Sequence, residues 1–169
     1  MDAHYFAGWH HDGTILMIGS AWKEPHESTV PLVAGIVLII VPTVEIGGAS
    51  ILSLLLGDPS YAQNELRQDL WRAGHAHAGV WLVLSLVTLR YVDEATLSEG
   101  MRWVVRLAFP AAAILVALAF FLSALSPRTT EPNALICLAY VAGVVLAVGL
   151  LALAVGLIRG RRTPEAPNR

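Results

Sequence analysis

Four apolar segments alternate with short polar stretches along most of this chain. They run over Val30–Leu56, Leu70–Leu89, Trp103–Leu125 and Ala134–Ile158, each near or above the ~20 residues that a helix needs to cross the hydrocarbon core. The polar stretches "GDPSYAQNELRQD", "RYVDEATLSEGMR" and "SPRTTEPN" contain residues that end helices and make turns. Because short connections favour antiparallel neighbours, the pattern predicts an all-α fold, an integral membrane four-helix up-and-down bundle.

Only the two ends of the chain lie outside this pattern. We predict an N-terminal extramembrane segment over residues 1–29, a four-helix transmembrane domain over residues 30–158 and a basic cytoplasmic tail over residues 159–169. The N-terminal segment lacks the basic start of a secretory signal, since its first lysine is Lys23. We interpret His10 and His11, in "GWHHDG", as solvated loop residues, with a metal site as the alternative.

The composition agrees with a membrane protein. Hydrophobic residues make up 56% of the chain and charged residues 14%, against roughly 25% charged residues in soluble domains. The net charge of −2 gives no electrostatic case for nucleic-acid binding. Cys137 is the only cysteine, which excludes an intramolecular disulfide and a multi-cysteine metal site within one chain.

The distribution of Lys and Arg predicts which way the bundle points. Cations gather in cytoplasmic loops, and "RGRR" directly follows the fourth segment, so we place the C-terminus in the cytoplasm. With four spans the N-terminus is then cytoplasmic too. Seven cations fall on that side, namely Lys23, Arg90, Arg102, Arg106, Arg159, Arg161 and Arg162, and three fall on the other, namely Arg67, Arg72 and Arg128.

The first segment contains one ionisable residue, Glu45, in "VPTVEIGG". A carboxylate near the bilayer centre costs at least about 2.5 kcal/mol on insertion scales, so such residues are rare and usually functional. Pro42 removes a backbone donor nearby and is expected to kink the helix. Gly47 and Gly48 leave a surface that another backbone can approach closely. The alternative is a protonated glutamic acid that serves only helix packing.

His75 and His77 lie in the second segment, within "WRAGHAHAGV". Their spacing separates them by about 200° around a regular helix, so they cannot easily clasp one metal ion between them. Counted from the membrane face that the two helices share, Glu45 lies about 16 Å deep and the histidines about 8–16 Å deep. We therefore expect one histidine to face Glu45 and the other to face a neighbouring helix or another protomer. A purely structural, hydrogen-bonded histidine pair is the alternative.

Arg72 precedes His75 by about one helical turn. It could pair with Asp69, Glu65 or Glu45, or hold an anionic group such as a haem propionate or a lipid phosphate. Small residues surround the histidines, which permits close helix contact in lipid or leaves room for a flat cofactor.

Together with the upstream "PTVEIGG" and the downstream "FPAAAILVALAFFLS", the stretch "WRAGHAHAGV" resembles a family of small four-span bacterial membrane proteins. That resemblance covers most of residues 30–158 and implies the bacterial plasma membrane as the location, without implying a particular activity. His75, His77 and Gly79 also resemble the metal- and haem-ligating helices of the haem–copper oxidase and nitric oxide reductase class. Glu45 with Gly48 is similar to the Glu-x-x-Gly step of the small multidrug-resistance transporters.

The hypothesis that we favour is a membrane protein that binds a transition metal (copper, iron or zinc) or haem. In this hypothesis Glu45, His75 and His77 are candidate metal ligands, and Arg72 joins the two histidines as a candidate cofactor-binding residue. Glu45 and Arg72 are the candidate catalytic residues of a membrane oxidoreductase acting on a quinone, a lipid or a small gas. The expected partners are membrane lipid and either further copies of the chain or a larger membrane complex.

Two other hypotheses use the same residues. One is a small proton-coupled transporter, with Glu45 as the titrating carboxylate and the histidines as a relay, because histidine titrates near neutral pH. The other is a non-catalytic accessory subunit of a larger membrane complex, in which the polar layer only helps the helices to pack.

Overall fold

A computed structural model describes residues 29–160 of the protein, and most of these residues are helical, with no strand among them. The elements in chain order are α1 (Val30–Gly57), the short α2 (Pro59–Ala62), α3 (Glu65–Tyr91), α4 (Glu99–Ser123), a 3-10 turn (Ala134–Ile136) and α5 (Cys137–Gly160). The predicted all-α fold is thus confirmed for the described residues. The predicted N-terminal segment with His10 and His11, and the tail beyond Gly160, lie outside them.

Three helical stretches are long and apolar enough to cross a membrane: Val30–Gly57, Glu99–Ser123 and Ala134–Gly160. This supports the predicted membrane-embedded character of the protein. The remaining long helix, α3, has 27 residues, which is sufficient length. Its charged first turns and its two central histidines make it more polar than the other three, so composition alone does not indicate a fourth span.

Two helices begin earlier than the hydrophobic pattern predicts, because polar residues cap them. α3 begins at Glu65 rather than Leu70, and the Asn64 side chain accepts a hydrogen bond from the backbone N–H of Arg67 at 3.1 Å. α4 begins at Glu99 rather than Trp103 and is capped in the same way by Ser98. Capped polar turns of this kind extend a helix beyond its apolar part.

The long helices pack on their neighbours in chain order: α1 on α3, α3 on α4 and α4 on α5. One hydrophobic cluster, including Val92, Phe109 and Leu153, joins the end of α3 to α4 and α5. A second cluster, including Val37 and Leu82, joins α1 to α3. α4 is the most buried of the three candidate spans, whereas α1 lies at the edge and leaves most of its side chains exposed.

The carboxyl end of α4 shows why the chain turns where it does. The last four carbonyls of a helix have no partner within the helix. Here Ser123 Oγ donates to Phe120 O (3.1 Å), Trp71 Nε1 donates to Phe121 O (3.2 Å), and Asn133 donates to Leu122 O and Ser123 O (both 3.0 Å). All four orphan carbonyls are therefore satisfied by nearby side chains and the following loop.

Close packing of α5 against its neighbours depends on two of its glycines. A Cβ added at Gly149 would lie 2.7 Å from Ala108 Cβ, and one at Gly156 would lie 2.7 Å from Leu97 Cγ. Gly143, in contrast, faces open space within this chain.

Candidate functional site

The His75 ring points from α3 directly at α1. A Cβ added at Gly48 would lie 3.0 Å from both Cε1 and Nε2 of His75, and one added at Gly47 would lie 3.8 Å from its Nδ1. Real Cβ atoms rarely approach other atoms so closely. The Gly47–Gly48 step in α1 is thus the space in which the imidazole sits, and His75 is the histidine that faces the first helix.

Glu45 and His75 border the same cavity, which we call the α1–α3 cleft. The cleft has a volume of about 410 Å³, and apart from these two residues its lining is apolar: Val41, Val44, Ala76, Gly79, Val80, Leu82 and Val83. Glu45 is exposed on its rim and His75 is half-buried. The number of residues between each side chain and its helix end predicted that Glu45 and one histidine lie at the same depth. In the structure Glu45 and His75 line the same cleft.

His75 also borders a second cavity on its other side. This cavity, of about 220 Å³, lies between α1, α3 and α4 and is bordered by residues such as Thr43, Ala113 and Phe121. The imidazole therefore separates a polar-rimmed cleft from an almost wholly apolar cavity.

His77 faces away from Glu45, as the spacing of two residues predicts. Its Nδ1 lies 2.7 Å from the backbone oxygen of Ala73. Since a carbonyl oxygen can only accept a hydrogen bond, Nδ1 is the donor in this contact. The exposed ring meets Trp81 edge-on, with centroids 5.7 Å apart, and lies 5.9 Å from the ring of Phe120 in α4.

Arg72 is exposed and lies outside both cavities. Its guanidinium donates a hydrogen bond to Gln68 Oε1, one turn earlier on the same helix. It makes no ion pair with a described residue, so the pairing with Asp69, Glu65 or Glu45 that the sequence allowed is not formed. The amide of Gln68 reaches the guanidinium because the two side chains are separated by i, i+4 on one helical face.

Among residues 29–160, no group of three or more His, Cys, Asp and Glu side chains lies close enough together to hold a metal ion. Of the predicted site residues, the structure brings together Glu45 and His75 and leaves His77 and Arg72 apart from them. A single described chain therefore offers one carboxylate and one imidazole at this cleft.

Sequence reasoning missed a buried cation next to α2. Arg67 donates from Nε to Ala124 O at 3.1 Å and from Nη2 to Leu125 O at 3.4 Å. Its guanidinium also lies 4.6 Å from the centre of the Trp71 ring. These contacts fasten the start of α3 to the end of α4. The i, i+4 spacing of Arg67 and Trp71 was the available signal, but it does not reveal burial.

Tyr61 belongs to the same cluster. It is fully buried, its ring centre lies 5.5 Å from that of Trp71, and its hydroxyl has no hydrogen-bond partner. Burial raises the pKa of Tyr61 above its ordinary value of 10.0, while the charges of Arg72 and Arg67 act in the opposite direction.

The opposite end of the helices contains a second buried cation, Arg106. It pairs with Asp93 at 2.8 Å and with Glu99 at 3.1 Å, and its guanidinium lies 5.5 Å from the Trp103 ring centre. The sequence predicted Arg106 only as one of the flanking positive charges. Arg67 thus makes polar contacts at the end of α4 and Arg106 makes them at its start. Neither residue borders the α1–α3 cleft.

Comparison with known protein families, with curated proteins and with solved structures finds no match to this chain.

Proposed function

We propose that the protein is a multi-pass integral membrane protein that binds a transition-metal ion through Glu45 and His75 in the α1–α3 cleft. The observation that carries this proposal is the pairing itself: a carboxylate and an imidazole border one otherwise apolar cavity, midway along helices. Ionisable residues placed within a membrane are costly, so their convergence on one cavity favours a function over a packing role.

The membrane setting includes α3 as a fourth span in this proposal. α1 and α4 are candidate spans, and α3 packs on both and joins them through short connections at residues 58–64 and 92–98. A helix about 40 Å long that lies along two spans shares their depth. The excess of Lys and Arg near the 92–98 connection and the C-terminus supports cytoplasmic termini, in a bacterial plasma membrane.

The chemistry of the two side chains favours zinc, iron or copper. A neutral imidazole and a carboxylate together suit zinc or non-haem iron, and imidazole also suits copper and haem iron. The side chains of Glu45 and His75 make no hydrogen bond to another described residue, so their lone pairs are available to an ion. With iron or copper bound, such a site could carry redox chemistry.

Elemental analysis and an absorption spectrum of the purified protein test this proposal. We expect bound zinc, iron or copper, with affinity at least about tenfold weaker in Glu45→Gln and His75→Ala, since even changes beside a metal ligand typically cost that much. A haem would be recognised by an intense visible band. His77→Ala is the matched control, because His77 lies on the same helix but faces away from the cleft.

Three results would contradict the proposal. Equal metal loss in His77→Ala and His75→Ala would remove the assignment to the α1–α3 cleft. A metal-free protein whose Glu45→Gln variant loses proton-coupled flux would indicate a transporter. Variants that change only assembly with other proteins would indicate an accessory subunit.

A further inference from the structure

His75 borders a second cavity between α1, α3 and α4, which we call the three-helix cavity. Its only other polar side chain is Thr43, whose hydroxyl donates to Ile40 O at 2.7 Å within its own helix. The rest of the lining is apolar and includes Gly47, Ala78, Ala113, Ala117 and the ring of Phe121. Among the described residues, the imidazole of His75 is therefore the side chain that can donate a hydrogen bond into this cavity.

The two ring nitrogens of His75 have different surroundings. Nδ1 is the nitrogen beside Gly47, 3.8 Å from the position of an added Cβ, and Gly47 borders the three-helix cavity but not the α1–α3 cleft. Nε2 lies beside Gly48 instead. A histidine that binds a metal through one nitrogen donates a hydrogen bond from the other, to a carboxylate, a carbonyl or water. No described residue supplies that acceptor here, so a molecule in the three-helix cavity can supply it.

Size and access favour a lipid-soluble ring as that molecule. The cavity has a volume of about 220 Å³, whereas a cavity of about 150 Å³ is enough to hold benzene. Its exposed lining residues are Thr43 on α1 and Ile114 and Leu118 on α4, so the cavity opens between these two helices. Both helices are candidate membrane spans. A molecule that enters through this opening therefore comes from the hydrocarbon of the membrane.

We propose that the three-helix cavity binds the ring of a lipid-soluble carbonyl compound, a quinone or an aromatic ketone, whose oxygen accepts a hydrogen bond from Nδ1 of His75. This inference deepens the proposed function, on which it rests, because it names the class of molecule held beside the metal-binding histidine. A proton on Nδ1 leaves the lone pair of the neutral ring on Nε2, so the carbonyl and the ion favour the same form of the imidazole.

Two fluorinated probes test this site on the purified full-length protein in detergent, with fluorine NMR as the readout. The ketone para-fluoroacetophenone carries the acceptor oxygen, and para-fluorocumene has nearly the same outline without it. We expect saturable binding of the ketone to the parent. His75→Ala should reduce the preference for the ketone over the hydrocarbon by about two- to tenfold, the equivalent of one hydrogen bond.

A second variant, Ala117→Leu, tests the cavity itself, because the larger side chain occupies part of the space and leaves Glu45 and His75 in place. We expect it to lose saturable binding of both probes and to keep the metal. Ala111→Leu is the matched control, since Ala111 lies on the same helix, is also half-buried and borders neither cavity. It should bind both probes as the parent does.

Several outcomes would overturn the inference. The three-helix cavity is not the site if the parent does not bind the ketone, if binding survives Ala117→Leu, or if Ala111→Leu loses it equally. An unchanged preference for the ketone in His75→Ala would remove the role of Nδ1. The two proposals can fail separately. Ketone binding by a protein that holds no metal contradicts only the metal site, whereas metal binding without ketone binding contradicts only the three-helix cavity.

Discussion

The position of the His75 ring depends on a glycine in α1, Gly48. Glycine has no Cβ, and a Cβ added at Gly48 would lie only 3.0 Å from the ring of His75. Any other residue there would press against the imidazole. A glycine in a membrane helix is usually explained by close backbone packing, but this one makes room for the proposed ligand.

Gly48→Val should displace the His75 ring. We expect metal affinity to fall at least about tenfold, in line with other disturbances next to metal ligands, and the free energy of unfolding to fall by about 1–3 kcal/mol through overpacking. Metal titration and thermal unfolding measure the two effects. Gly35→Val is the control, because Gly35 is also in α1 and has no atom within 4 Å of an added Cβ. Similar losses in both variants would show that position 48 is not special.

Tyr61→Phe should remove an alkaline sensitivity. Burial raises the pKa of Tyr61, so the folded state favours the neutral phenol. The stability that this preference contributes is present below the unfolded pKa of about 10 and is lost as the pH rises above it. We expect the variant to be as stable as the parent at pH 8, or up to about 1 kcal/mol more stable, since it loses an unpaired buried hydroxyl.

Thermal unfolding of the parent and of Tyr61→Phe between pH 8 and pH 11 measures this difference. Tyr140→Phe serves as the control, because Tyr140 is 76% exposed. A parent and Tyr61→Phe variant that lose stability in parallel above pH 10 would contradict the role given to Tyr61.

The sequence could predict that the histidines diverge but not which one faces Glu45. Divergence follows from the helical period alone, and the shared depth follows from counting residues. The rotation of α3 about its axis is instead decided by packing, here by Gly74 against Phe120 and by His75 against Gly48. Such contacts join residues that are distant in the chain, so no local pattern contains them.

Side-chain hydrogen bonds connect the start of α3 to the end of α4, next to α2. Arg67, at the start of α3, donates hydrogen bonds to two carbonyls just beyond α4, and Trp71 donates to a third within the last turn of α4. Asn64 adds two more hydrogen bonds, to Pro127 O and Thr129 O. The loop after α4 is therefore held by α3 rather than by its own sequence.

Arg67→Lys should loosen this junction even though it keeps the charge. A lysine cannot reproduce the forked donation to Ala124 and Leu125 or the stacking on Trp71. We expect a loss of roughly 1–3 kcal/mol in the free energy of unfolding, measured by thermal or denaturant unfolding in detergent. Arg128→Lys, an exposed position in the same region, should change stability by less than about 0.5 kcal/mol. Equal effects of the two substitutions would contradict the anchoring role of Arg67.

Hydrophobicity predicted the number and order of the long helices and the ends of α1, but not where α3 and α4 begin. The four apolar segments correspond to α1, α3, α4 and α5. The polar first turns of α3 and α4 have the composition of a loop, so the hydrophobic pattern does not include them. Burial of Arg67 and Arg106 escaped prediction for a related reason. A charged residue at the edge of an apolar segment has the same local pattern whether solvent or a neighbouring helix surrounds it.

Successive long helices run in alternating directions, so the connections between them lie at the two ends of the helices. Arg67 brings the start of α3 to the end of α4, while the backbone N–H of Thr96 donates to Gly156 O and brings the 92–98 connection to the end of α5. If all four long helices cross the membrane, these two ends face opposite compartments.

Single cysteines at Gln63 and Glu94 test that arrangement. Both positions are exposed, one in each of the connections that flank α3. In a Cys137→Ala background we expect a membrane-impermeant thiol reagent to label Gln63→Cys from outside intact cells and to reach Glu94→Cys only after the membrane is opened. Ser126→Cys, beyond the end of α4, should behave like Gln63→Cys. Labelling of Gln63→Cys and Glu94→Cys from the same side would show that α3 does not cross.

The polarity of α3 also bears on how the protein is made. During synthesis α3 leaves the ribosome before α4, although it is the long helix least suited to enter hydrocarbon by itself. Insertion scales penalise its arginines, and the carbonyls that accept hydrogen bonds from Arg67 and Trp71 lie at the far end of α4. We therefore expect α3 to wait at the membrane surface until α4 has been translated, and the two to enter as a hairpin. A nascent chain that stops at Tyr91 would then leave its histidines in water.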